Sequence, residues 1–169
     1  MSYTNFEKAL CLIEKHEKLI NFKSAITADN IQKIENAWGI KFPLSYKVFL
    51  EKFGILHFGG STIEGISAYY LQTNGIDEGI KKLHEERVIL KLPKKYVVVY
   101  NLGNGFEYAL DTSQMNKEGE CAVKGSYAFH YQEAATEDSF EDFGDFLLNQ
   151  VQFEIKNADE EEWLEEAQK

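Results

Sequence analysis

Four histidines and two cysteines are the side chains best suited to do chemistry in this chain of 169 residues. Metal sites and nucleophilic centres hold such side chains at short, fixed spacings. His16, His57, His84 and His130 stand far apart, and none has a cysteine pair nearby. Each reads as a structural or surface histidine. Cys11 and Cys121 lie in no nucleophile motif and read as two buried free thiols of a reducing compartment. Gly103-Asn104-Gly105 follows a strand pattern, as a phosphate loop would. It lacks a third glycine at the right place and any Gly-Lys-Ser/Thr, and a second strand pattern follows, so the hairpin reading wins. His57-Phe58-Gly59-Gly60 reads as a turn rather than an oxyanion loop. The pairs Asp77-Glu78 and Glu85-Glu86 are adjacent on a helical pattern, so their carboxylates point apart. Nothing here proposes catalysis. The expectation is a chain that is not an enzyme, binds no metal or cofactor, and acts by binding.

Charge carries more. The net charge is -10. Residues 1–132 hold 16 lysines and arginines against 15 aspartates and glutamates, whereas residues 133–169 hold 2 against 13. The negative field therefore belongs to the end of the chain. Such a field repels nucleic acid and anionic membranes and attracts basic partners. The candidate partner-binding residues are Glu133, Glu137, Asp138, Glu141, Asp142 and Asp145, joined by Asp159, Glu160, Glu161 and Glu162, with Glu165 and Glu166 beyond. The competing reading is an acidic surface that only aids solubility. A second candidate surface is an exposed sheet face carrying Tyr69, Tyr70, Tyr127 or Tyr131, because aromatics often serve as binding hot spots.

These residues need a scaffold, and the apolar pattern supplies one. Hydrophobic residues make up 44% and aromatics 14%, enough for a substantial core. No apolar run of about 18 residues occurs, so no spanning helix is expected. The first residues lack a basic segment followed by an apolar block, so a cytoplasmic location is expected. Phe6, Leu10 and Ile13 recur at helical spacing. A second helix is expected after Thr27, with Ile31, Ile34 and Trp38 on one face and Gly39 as its stop. Pro43 suits the first turn of a third helix lined by Tyr46, Phe49, Leu50 and Phe53. Short strands are expected over 61–67, with 68–72 continuing or pairing with them. A helix is expected over 76–87, and the clearest strand over 96–100, followed by its hairpin partner at 106–110. A further strand pair is expected over 121–124 and 126–131 around Gly125. A closing helix carries Phe140, Phe143, Leu147 and Val151, capped by Asp138 or Ser139. Helices, then strands, then a helix make an α+β domain.

Ile34-Glu35-Asn36-Ala37-Trp38-Gly39-Ile40-Lys41-Phe42-Pro43-Leu44-Ser45-Tyr46-Lys47-Val48-Phe49-Leu50 resembles the opening motif of the SUKH superfamily, a family named for homology to a yeast cell-wall regulator. Phe53-Gly54, Ile63-Glu64-Gly65-Ile66, Leu92-Pro93, Gly103-Asn104-Gly105 and Ser139-Phe140 with Phe143 are similar to its later landmarks in order. The resemblance covers residues 31–148. It implies a single compact domain, a mixed and mainly antiparallel sheet flanked by helices at the N- and C-terminal ends. The domain would span residues 1–153, with an acidic C-terminal extension at 154–169. Bacterial members are mostly immunity proteins that bind and block toxins of polymorphic or contact-dependent systems, often nucleases. Some fungal members are regulatory scaffolds instead. The implied partner is a cognate toxin with a basic nuclease domain, met through no direct nucleic acid or membrane contact. The family has no catalytic motif, and Trp38, Gly39, Pro43, Tyr46, Phe53, Gly54 and Gly65 take architectural roles.

Overall fold

A computed structural model describes residues 2–127, 129 and 136–167. Helix α1 (Ser2–Lys15) leads through a short 3-10 turn to strand β1 (Ile20–Lys23). Helices α2 (Ala28–Trp38) and α3 (Leu44–Lys52) follow, then strands β2 (Leu56–Phe58) and β3 (Ser61–Ile63). Helices α4 (Ala68–Asn74) and α5 (Ile76–Ile89) precede strands β4 (Tyr96–Asn101), β5 (Glu107–Asp111), β6 (Val123–Ser126) and β7 (Asp138–Phe140). Helix α6 (Phe143–Ala167) closes the chain. The fold is α+β, as the pattern predicts. In place of one mixed sheet there are two antiparallel ones, β1-β2-β3 and β4-β5-β6-β7. They meet where the Glu64 N–H donates to the Val99 carbonyl at 2.7 Å.

The helix-end chemistry works as the sequence suggests. Thr27 caps α2 by accepting from the Asn30 N–H at 3.2 Å, and Gly39 ends it at φ 64°. Pro43 stands at the N-cap of α3, where its missing N–H costs nothing. Helices α1 and α6 pack together over the core, and Phe143 sits edge-on to Tyr46 and Phe49 at 5.1 and 5.2 Å. Such edge-to-face pairs add to the burial of the rings.

Four local expectations fail for identifiable reasons. Residues 68–72 are helical, because Ser67 caps α4 and Ser24 takes its first N–H groups, that of Ala68 at 3.1 Å and that of Tyr69 at 3.1 Å. Gly125 is not a turn between two strands. It lies within β6, where the rings of Phe106 and Tyr108 fill the space a side chain would need. Residues 138–140 form β7, and the cap of α6 is Asp142, whose Oδ1 accepts from the Asp145 N–H at 3.1 Å. Cys11 is exposed on α1, while Cys121 is buried.

Candidate functional site

The acidic residues divide into two groups and a buried remainder. Glu137, Asp138 and Glu141 are exposed around β7 and the turn into α6. The Asp138 Oδ2 accepts from the Tyr108 hydroxyl at 2.8 Å. Burial, then that carboxylate, pushes the Tyr108 hydroxyl up to about 12. Asp159, Glu160, Glu161 and Glu162 are exposed on the distal half of α6. Glu160 pairs with Lys156 at 3.8 Å, and Glu162 with Lys18 at 3.7 Å, both at the surface. At about 1.5 Å of rise per residue the two groups are separated by roughly 25 Å along α6, so they form two patches rather than one. Asp145 is half-buried and accepts from the Asn5 amide at 2.6 Å. Asp142 is buried and tied to its capping task, so it is not available on this surface. Glu133 lies outside the described residues.

Helix α6 runs unbroken past position 153. Glu154, just beyond it, is buried and accepts from the Gly60 N–H at 2.7 Å and from the Ser61 hydroxyl at 2.6 Å. It clasps the β2–β3 hairpin and is structural rather than part of a detachable tail.

Three further carboxylates that the sequence did not single out are buried in the same way. Burial pushes Glu35 up, but Lys47, the Phe42 N–H and Lys41 outweigh it and hold it below the ordinary carboxylate range. Burial likewise acts on Asp111, and Lys124 and Ser113 outweigh it, leaving its carboxyl lowered. Glu120 accepts from the Ser45 N–H and hydroxyl at 2.9 and 2.6 Å, supplying α3 with the cap that Pro43 cannot. Here burial wins, and the Glu120 carboxyl is raised. Charge counting says nothing of burial, and for Glu120 the partner Ser45 stands 75 residues away.

The tyrosine surface is not the sheet face expected. Tyr69 and Tyr70 lie on α4, with Tyr69 71% exposed. Tyr127 is exposed and edge-on to Phe106 at 4.8 Å. Tyr131 lies outside the described residues. His16 bonds the Leu12 carbonyl at 2.9 Å, His57 faces Phe22, and His84 lines a cleft beside Trp38. Among the described residues no group of three or more histidines, cysteines or carboxylates is placed to hold a metal ion. Among the same residues no helix is long and apolar enough to cross a membrane.

The described residues present charged and apolar surfaces around a packed core. The chain matches the SUKH_5 family, described as SMI1-KNR4 cell-wall, over residues 7–152. It belongs to that family. In this SUKH_5 protein the match takes in every element from α1 to the middle of α6, and stops just short of Glu154. Family membership is consistent with a role in binding a protein partner, of the immunity kind.

Proposed function

We propose that this chain is a cytoplasmic immunity protein that binds a cognate toxin and blocks it by occlusion. Family membership over residues 7–152 is the observation that supports the reading. The chemistry follows from charge. A nuclease carries a positive groove for its substrate's phosphates. An acidic surface competes for that groove, with charge steering the encounter and buried contacts setting the residence time. The exposed carboxylates at 137, 138 and 141, and those at 159–162, are the proposed contacts.

The test begins with affinity capture from the native host and identification of the bound protein. The on-rate is then measured at two salt concentrations. Reversing Glu137, Asp138 and Glu141 to lysine in one variant, and Asp159 to Glu162 in another, separates the two patches. At least one variant should associate more slowly and lose its salt dependence while keeping its circular dichroism. Two folded variants that bind and protect like wild type would return both patches to the role of solubilising surface.

The alternative is a regulatory or scaffold module that meets no toxin. The cell-wall description attached to the family favours it. Capture of a partner other than a toxin would select it.

A further inference from the structure

The opposite sign of charge gathers on another face. Between Lys81 and Lys95 the chain carries six lysines and arginines against two glutamates. A cleft of 540 Å³ opens there between the end of α2, the last turns of α5 and the connection to β4. Trp38 and Leu92 supply apolar wall, and His84, Arg87 and Lys94 supply nitrogen.

Arg87 is held in place from two sides. Its guanidinium carbon lies 4.4 Å from the centre of the Trp38 ring. Its Nη2 donates to the carbonyls of Lys94 and Tyr96 at 3.1 and 2.9 Å. Neither Arg87 nor Lys94 forms an ion pair with a carboxylate of the described residues. The nearby Glu86 serves as acceptor for the Tyr70 hydroxyl at 3.2 Å, and it lines a second cleft on the other side of Arg87, together with Glu64 and Glu107. The cationic half is therefore the His84 and Lys94 side. An immobilised guanidinium without a carboxylate suits a planar anion, which it can bind at little entropic cost.

The rim says what carries that anion. Val88, which lines the cleft, is 64% exposed, and Ile89 beside it is 76% exposed; Leu90, 58% exposed, lines the second cleft. Val88 and Ile89 fall off the helical stripe of Ile76, Ile80 and Leu83, so they belong to no core face, while Leu90, in phase with it, ends the helix at the surface. Lys91 follows them at φ 55°, a left-handed helix end normally given to glycine. The Leu92 N–H bonds the Arg87 carbonyl at 3.1 Å and turns Leu92 back toward the cleft. A small anion would leave this apolar rim in water, whereas a protein segment would cover it.

We infer that this cleft is a second docking site, for a partner-protein segment that sets an aspartate or glutamate against Arg87 and Lys94 and apolar side chains against Trp38, Leu92 and the exposed Val88. It stands independently of the acidic patches, which face partners of the opposite charge.

Selection of a random peptide library on the full chain is the test. Selected sequences should combine Asp or Glu with adjacent Leu, Ile or Phe. Trp38 and Trp163 are the two tryptophans, so in a Trp163→Phe background the fluorescence reports on Trp38 alone. One selected peptide, made synthetically, should shift that fluorescence. Lys94→Glu and Val88→Ser should each weaken its binding by about tenfold, as loss of a contributing contact does. Both positions are exposed, and either variant alone suffices should the other fail to fold. Selection of basic peptides or of none, or equal binding by both folded variants, overturns the proposal. So does a response to inorganic phosphate with none to peptide, which would mark a small-anion site only.

Discussion

Gly65 packs so closely against Gly54 that a side chain at position 65 would occupy the space of the Gly54 carbonyl oxygen. That oxygen also accepts from the Ile66 N–H at 2.9 Å, so it has nowhere to move. Gly54 itself stands at φ 66° against the Ser24 carbonyl. Two positions of the family motif thus join the end of α3, the strand pair and the entry to α4. Gly65→Ala should cost about 3 kcal/mol or more, the upper part of the range for overpacking. Gly39→Ala, in the left-handed helical region at φ 64° and ψ 38° and facing only the flexible end of Lys94, should cost about 1–2 kcal/mol. Urea denaturation of both variants measures the difference, and equal midpoints would contradict it.

Trp38 is 7% exposed and lies edge-on to Phe42 at 5.8 Å, with Arg87 over its face. Trp38→Ala should destabilise the domain by about 3–5 kcal/mol, as removal of a large core ring does. An unchanged denaturation midpoint would remove Trp38 from the core.

Glu35 and Glu120 should respond to pH with opposite signs. The Glu35 carboxyl is lowered on folding, so its contribution is present above the ordinary carboxylate range and lost as pH falls through the folded value. The Glu120 carboxyl is raised, so the folded state prefers it protonated, and stability is lost as pH rises from the unfolded toward the folded value. Glu35→Gln should cost about 1–3 kcal/mol at neutral pH, because charged hydrogen bonds are lost. It should also make the loss of stability between about pH 5 and pH 3 shallower. Glu120→Gln should make that loss steeper. Identical acid limbs in both variants would refute the assignment.

The two thiols should separate by reactivity. Burial, followed by the nearby Glu120 and Asp111, pushes the Cys121 thiol up to about 12, while Cys11 is exposed. A thiolate reagent at mildly alkaline pH should label Cys11 in the native protein and Cys121 only on unfolding. Native labelling of both would show that Cys121 is not enclosed.

Short-range rules account for what was legible beforehand. Thr27, Gly39 and Pro43 act within one turn of their helices, and the run from Tyr96 to Tyr100 is β-branched and aromatic throughout, so α2, α3 and β4 could be read off directly. The failures are long-range. Ser24 makes α4 helical from more than 40 residues away, and the local pattern puts Gly125 in a turn because the rings that require a glycine there lie on and just before β5. The acidic segment was legible as composition but not as surface. Counting charge could not show that Asp142 and Glu154 are buried, nor that the exposed carboxylates fall at two separated places. The basic cleft was missed for the same reason, since Trp38 and Arg87 meet only in the fold. The out-of-phase pair Val88-Ile89 is its one visible trace.

Helix α6 carries acid at both of its ends, and the ends are not equivalent. At the start Asp142 and Asp145 face the positive pole of the helix macrodipole, which favours them. At the finish the last turn holds no basic residue, and the exposed run Asp159-Glu160-Glu161-Glu162 lies toward the negative pole, where like signs repel. A cation brought to that end relieves both the side-chain charges and the pole behind them. Contact with a basic surface would therefore tighten the final turns of the helix as well as hold the partner, and raising the salt concentration would do a weaker version of the same thing.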